Sequence, residues 1–247
     1  MVRVKREDWL YYGSLAAYLS DKLVIYSSYS RGLEDSRAAP PVAVNSGEGV
    51  PASITQQVDL GFRYALTSSL RFVASVFETK KPFYELDSAV VYRRLGSISN
   101  KGIEASLTGA PVDGLTVVAG VVLLQQRLTG QLVDQGVLGE VPTGSMPLSV
   151  LLSGQYGPRS WQGFSVDARV SHTGSYFADP LNTFRGEAIT TVDLGARYRF
   201  NVATFPASLR FQVANLFDVY EWRVSGNIPS YVLSDPRTFL LQLTVDF

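Results

Sequence analysis

Apolar and polar residues alternate with a period of two along most of the chain, and no long stretch follows the 3.6-residue spacing of an amphipathic helix. In "TTVDLGARYRF", Val192, Leu194, Ala196, Tyr198 and Phe200 share one face, while Asp193, Gly195, Arg197 and Arg199 share the other. "QVDLGFRYAL" repeats the scheme, with Val58, Leu60, Phe62, Tyr64 and Leu66 set against Asp59, Gly61 and Arg63. "GFSVDARV" and "SLRFQVA" divide in the same way. So does the closing "TFLLQLTVDF", where Phe239, Leu241, Leu243, Val245 and Phe247 oppose Gln242, Thr244 and Asp246. The pattern predicts about eleven strands, near 7–19, 22–32, 54–66, 69–86, 90–109, 114–127, 145–157, 161–174, 187–200, 206–218 and 236–247.

Many of these strands exceed the roughly five or six residues usual in soluble sheets. They match the roughly nine to eleven residues of a tilted membrane-spanning strand, with some projecting beyond it. The connections sort by parity. Those near 20–21, 67–68, 110–113, 158–160 and 201–205 are short. Those near 33–53, 128–144, 175–186 and 219–235 are long, and the one near 87–89 is a tight turn on an extended hairpin. Short turns at one end and long loops at the other characterise outer-membrane barrels, whereas a soluble sandwich has no reason to segregate loop length. The expected fold is therefore all-β, a transmembrane antiparallel up-and-down barrel with lipid on the apolar face and the lumen on the polar face. Eleven is an odd number, and an antiparallel barrel normally closes with an even one, so either the strand count is off by one or this chain supplies part of a wall.

Composition narrows the function. The 247 residues are 46% hydrophobic and 12% aromatic, with no cysteine, one histidine and a formal charge of zero. A nucleic-acid partner would need a basic footprint that is not there. Without cysteine there are no disulfides or thiolate-held metals, and a single histidine leaves few ordinary transition-metal sites, so no cofactor is expected. No apolar run approaches the length of a membrane helix. The opening "MVRVKREDWLYYG" has charges but no apolar core and no small-residue cleavage site, and does not read as a signal peptide.

Several segments carry a more specific pattern. They are "LVIYSSYSRGLE", "QVDLGFRYAL" with "SLRFVASVFETKK", and "SNKGIEASLTGAPVDGLTVVAGVVLLQQR". "SHTGSYFADPLNTFRGEAITTVDLGARYRF", "VANLFDVYEW" and "DPRTFLLQLTVDF" complete the series. Each is weak alone, but six in order over nearly the whole chain resemble the C-terminal half of TonB-dependent outer-membrane receptors, particularly the ferric-siderophore group. "GEVPTGSMPLSV" holds only part of the Val-Pro…Pro segment of that family. The resemblance implies that residues 1–247 form the C-terminal part of a 22-stranded plugged barrel, without its plug domain, TonB box or signal peptide. It further implies residence in the outer membrane of a Gram-negative bacterium and uptake of a ferric siderophore. The TonB complex would act through the missing N-terminal part. The strand Phe239–Leu241–Leu243–Val245–Phe247, ending on an aromatic, would be read by the outer-membrane assembly machinery.

Two loops are the candidate site. "GSYFADPLNTFRGE" and "DVYEWRVSGNIPSYVLSDPR" gather Tyr176, Phe177, Phe184, Arg185, Tyr220, Trp222, Arg223 and Tyr231 at the expected outer mouth. Aromatics and arginine suit a bulky, often anionic chelate through stacking, cation–π contact and charge. The plainer reading is an aromatic girdle at the lipid headgroups. Asp193, Arg197 and Arg199 read as lumen-facing wall charges, with contact to a plug or a passing ligand as the alternative. Glu104 is expected to face the lumen and pair with a base on a neighbouring strand. Asn215 and Asp218 are expected to fix a strand end through side-chain-to-backbone bonds. His172 could suggest a hydrolase, but at the end of a strand it reads as an interfacial residue, and no enzyme is expected. No Gly-Lys-Ser/Thr phosphate loop is present. Rival functions are the same architecture with another cargo (cobalamin, a haem-like ligand or an oligosaccharide) and a passive pore or surface barrel.

Overall fold

The computed structural model describes residues 8–34, 38–50, 52–225 and 230–246. In chain order the elements are β1 (Tyr11–Ser20), β2 (Leu23–Glu34), β3 (Ser53–Ala65), β4 (Leu70–Leu86), β5 (Tyr92–Val112) and β6 (Leu115–Gly130). A single helical turn α1 (Gln131–Asp134), β7 (Leu148–Tyr156) and β8 (Phe164–Thr173) follow. The remainder are β9 (Tyr176–Phe177), β10 (Arg185–Gly186), β11 (Ile189–Val202), β12 (Phe205–Ala214), β13 (Trp222–Ser225), β14 (Ser230–Leu233) and β15 (Thr238–Val245). Eleven of these strands form one sheet in the order β1-β2-β3-β4-β5-β6-β7-β8-β11-β12-β15, each antiparallel to its neighbour. The sheet is open, with β1 and β15 as its edges: an unclosed part of a barrel wall.

The strands fall where the alternation places them, and their register keeps the two faces distinct. Leu60 stands opposite Val76, Val76 opposite Ile103, Ile103 opposite Leu123 and Leu123 opposite Leu148. Leu194 pairs with Val213, and Val213 with Phe239. This face is exposed: Leu60 is 53% accessible and Leu241 68%. A continuous aliphatic surface of this size is not left in water by a soluble monomer, because each such side chain gains roughly 1.5–3 kcal/mol from apolar cover. Aromatic pairs gather on it towards the short-turn end, where Phe62 meets Phe72, Trp161 meets Tyr156 and Phe164, and Tyr198 stacks on Phe200.

The other face is polar. Asp193 stands opposite Arg169, Gly195 opposite Asp167, and Arg197 opposite Arg210, so the predicted orientation of Asp193, Arg197 and Arg199 holds. Glu104 also lies on this face, but its partner is not a base. Ser75 Oγ donates to Glu104 Oε1 at 2.7 Å, and among the described residues no cation comes within ion-pair distance of that carboxylate. Glycine gives this face room for long cross-strand side chains. The Phe77 ring lies over Gly102, 2.3 Å from where a Cβ would stand.

The two ends differ as predicted. The pairs β1–β2, β3–β4, β5–β6 and β11–β12 join through 21–22, 66–69, 113–114 and 203–204, and β7–β8 through a short turn around Arg159–Trp161. At the opposite end, 131–147, 174–188 and 215–237 are long. At the short-turn end β5 runs on to Val112 rather than 109, and β8 starts at Phe164 rather than 161 because Arg159–Trp161 is a 3-10 turn; other departures from the pattern lie at the long-loop end. β7 starts at Leu148 rather than 145, because Pro142 to Ser145 is a hydrogen-bonded turn. β12 stops at Ala214 rather than 218, because Asn215 has a left-handed φ of 50°. The hairpins β9–β10 and β13–β14 were not foreseen. No helix among the described residues is long and apolar enough to cross a membrane.

Candidate functional site

The two candidate loops each fold back as a small hairpin, and local polar residues dictate how. In 174–188, Asp179 accepts the backbone N–H groups of Leu181 (3.1 Å), Thr183 (2.9 Å) and Phe184 (2.6 Å) and the hydroxyl of Thr183 (2.9 Å). These donors, the Phe184 amide foremost, hold the Asp179 carboxyl below its ordinary value. The turn brings Arg185 opposite Phe177 and Gly186 opposite Tyr176. In 215–237, Asn215 ties the strand end down. Its amide donates to the carbonyls of Val219 and Asp235, and its side-chain oxygen accepts from Val219. Asp218 accepts the Arg237 amide and the Tyr220 hydroxyl, which lowers its own titration and raises that of Tyr220. Asn215 and Asp218 therefore fix a strand end, as the sequence suggested.

The hairpins are locked to one another and to the loop 131–147. The Tyr176 hydroxyl donates to the Trp222 carbonyl at 2.7 Å, and the Tyr231 hydroxyl to the Ala178 carbonyl at 2.9 Å. Asn182 exchanges two bonds with the backbone of Val141 (2.8 and 2.9 Å). The amides of Gly139 and Gly144 donate to the carbonyls of Pro180 and Phe177. Three loops thus form one connected cap.

Within the cap the eight candidates separate by environment. Tyr176 is a pillar, 4% accessible, with its phenol titration raised by burial and by the nearby Glu221 carboxylate. Tyr231 acts as a tether through its hydroxyl while keeping an exposed ring. Phe184 and Trp222 are each 62% accessible and Tyr220 is also exposed. Arg185 stacks over the Phe177 ring at 4.6 Å and has no carboxylate within ion-pair distance among the described residues. Arg223 faces Glu221 at 3.5 Å. Phe177 and Arg185 also line a cavity of about 360 Å³ with Gln126, Val141, Pro147 and Tyr176. A surface of open rings and a free guanidinium can stack on and neutralise an anionic aromatic or chelate ligand.

His172 lies elsewhere, on the apolar face, where its Nδ1 meets the Thr190 hydroxyl opposite at 2.8 Å. Among the described residues no acid joins this pair to complete a nucleophile–base–acid arrangement. No cluster of potential metal ligands occurs among the described residues. The sequence reading missed a clasp on the polar face. Arg210 grips Asp167 with two bonds of 3.0 Å. The carboxylate reaches it across Gly195, whose missing Cβ would stand 2.5 Å from Asp167 Oδ2.

Comparison with known proteins settles what kind of wall this is. Residues 2–216 match the family model described as "TonB dependent receptor-like, beta-barrel". The chain belongs to this family of TonB-dependent receptors. The family consists of transport receptors of the bacterial outer membrane, and the polar face of such a barrel is the lumen. The chain is 26% identical over 238 residues to the ferrichrome receptor FcuA of Yersinia enterocolitica, spanning 92% of this chain and 31% of that protein. It is similar to the ferric preacinetobactin receptor BauA of Acinetobacter baumannii, with a TM-score of 0.80 and 26% identity over 95% of this chain and 36% of that one. The ferripyoverdine receptor of Pseudomonas aeruginosa shares the fold, with a TM-score of 0.74 at 20% identity over 95% of this chain and 32% of that one. The chain thus spans about a third of the length of the receptors it matches. Of the predicted assembly-signal residues, Phe239, Leu241, Leu243 and Val245 lie on the apolar face of β15, and Phe247 lies outside the described residues.

Proposed function

We propose that the protein to which this chain belongs takes up a ferric siderophore across the outer membrane, driven through TonB, and that the chain supplies the C-terminal part of the barrel wall with the outer cap. The observation that carries this reading is the cap itself. Three loops joined by direct hydrogen bonds carry Phe184, Arg185, Tyr220 and Trp222 with their side chains exposed, and these residues form the capture platform of this reading. Preorganisation of this kind reduces the ordering cost of capture. The names of the relatives, receptors for ferrichrome and ferric preacinetobactin, support iron chelates as the class of cargo.

In this mechanism the platform stacks on the chelate and Arg185 offsets its negative charge. The lumen face, lined by Arg63, Asp59, Glu104, Asp167, Arg169 and Arg197, forms a wet wall along the path of entry. Energised movement of a plug, supplied by the remainder of the receptor, opens that path. The chain lies in the outer membrane with its long loops outside, and β15 is the strand handed to the assembly machinery. The test is iron-limited growth of a receptor-null strain carrying the full-length receptor, supplied with one defined chelate at a time. Growth on a ferric siderophore that is abolished without TonB is expected. Growth with cobalamin, haem or an oligosaccharide instead would replace the cargo, and uptake independent of TonB would favour a passive pore.

A further inference from the structure

At the short turns the polar face ends in a niche that neither the cap nor the clasp uses. Its volume is about 380 Å³, and Thr116, Gln155, Arg159, Ser165 and Arg199 line it together with turn backbone. The register places it at the foot of the lumen wall. Thr116, Gln155 and Asp167 stand in one row, Ser165 faces Arg197 one side-chain step nearer the turns, and Arg199 lies a step beyond. The turns that frame the niche are bonded to one another. The Gly157 amide donates to the Gly114 carbonyl at 2.8 Å, and the Arg199 amide to the Gly163 carbonyl at 3.0 Å. Gly163 has a φ of 94°, and the Arg199 carbonyl oxygen lies 2.5 Å from where its Cβ would stand, so this approach needs glycine.

Its charge is of one sign. None of the lining residues is an acid. Arg159, Arg197 and Arg199 have no carboxylate within ion-pair distance among the described residues. Asp167, in the row of Gln155, is already held by Arg210, and Asp113 sits in the 113–114 turn outside the lining. Unserved guanidinium groups in a polar recess concentrate anions, and their planar forks match paired carboxylate or catecholate oxygens. Arg185 in the cap offers the same free guanidinium at the opposite end of the wall.

We propose that the niche of Arg159 and Arg199 is a second binding site for an anionic iron chelate, occupied as the chelate leaves the lumen. Its ligand class is a ferric complex that presents carboxylate or catecholate oxygens, as opposed to an uncharged complex. Arg159 and Arg199 draw the chelate to the exit end of the wall, and Thr116, Gln155 and Ser165 offer it hydrogen bonds there. That the anion carries iron rests on the uptake proposed above; that it is an anion rests on the niche alone.

The test gives a receptor-null strain carrying the full-length receptor radioiron as an anionic tricatecholate, an anionic polycarboxylate or an uncharged trihydroxamate complex. Surface binding is read in de-energised cells, and uptake after energy is restored. For an anionic complex that the wild type carries, R159Q/R199Q is expected to keep its surface affinity within about twofold and to slow uptake about tenfold. R159K/R199K retains the charge and is expected to recover about half of the rate. Sensitivity to vancomycin, which a sealed outer membrane excludes, is expected to stay at the wild-type level in both variants. Wild-type uptake in R159Q/R199Q, a parallel loss of surface affinity, or no recovery with lysine would each overturn the proposal. A rise in vancomycin sensitivity would also overturn it, by showing that the arginines anchor a plug. Uptake confined to the trihydroxamate would overturn it and leave iron uptake standing, whereas no TonB-dependent uptake of any complex would overturn both.

Discussion

At the scale of single residues, the clasp on the lumen face depends on a side chain that is not there. Asp167 can lie across β11 towards Arg210 only because Gly195 leaves the space open. Bidentate pairing and partial burial of both groups put its coupling near the upper end of the range for exposed pairs, about 1 kcal/mol. A double-mutant cycle of D167N and R210Q, read by urea unfolding from lipid vesicles, is expected to return that coupling. In a G195A background the added methyl deflects the carboxylate, and the coupling is expected to fall to about zero. A second residue-scale prediction concerns acid. The Asp179 carboxyl is held below its ordinary value by the amides it accepts. Its stabilisation of the 179–184 turn is therefore complete above the free-aspartate value of about 3.9. That stabilisation is lost as pH falls through the lower folded value. Hydrogen exchange should show Thr183 and Phe184 protected at pH 5 and released only well below pH 4, whereas D179A exposes them at every pH.

At the scale of elements, the strands were legible and the cap was not. Alternation is a local signal, repeated in every span, and it placed eleven strands and assigned a face to Asp193, Arg197 and Leu241. It fails in β6, where "TVVAGVVLLQQ" is apolar at both parities. Only the register shows that Val118 and Val122 face the lumen, opposite Thr108 and Glu104. The cap has no such period. Whether Tyr176 is a ligand contact or a pillar depends on a carbonyl far along the chain, at Trp222, and no local pattern reports that. Glu104 is a similar case: its face was readable, but its partner, a hydroxyl instead of a base, was not. The cap predicts two kinds of variant. Y176F and Y231F each remove one interloop bond, worth about 1 kcal/mol. They are expected to loosen β13–β14 in hydrogen exchange and to weaken chelate binding a few-fold while leaving the barrel intact. W222A removes an exposed ring and no interloop bond, since its carbonyl remains. It is expected to weaken chelate binding with unchanged protection of the loops, as measured by fluorescence titration beside exchange.

At the scale of the whole molecule, strand parity governs closure. β1 runs towards the short-turn end, since it enters β2 through residues 21–22, and β15 runs the same way, since it follows the long loop 215–237. The two edges are therefore parallel. Curling the sheet on itself, or joining it edge to edge with a second copy inserted in the same orientation, would make a parallel seam in an otherwise antiparallel barrel. An antiparallel seam at both edges requires a further odd number of strands, which a larger receptor barrel provides. The need is acute, because unpaired backbone groups at β1 and β15 cannot remain in hydrocarbon and, in water, present two templates for aggregation. These 247 residues refolded alone with vesicles are expected to give no heat-modifiable band on gels and to sediment as large aggregates. Supplying in trans the further strands of a whole receptor barrel is expected to restore the band. A monodisperse, protease-resistant species from this chain alone, in the mass range of one or two copies, would show that a parallel seam suffices.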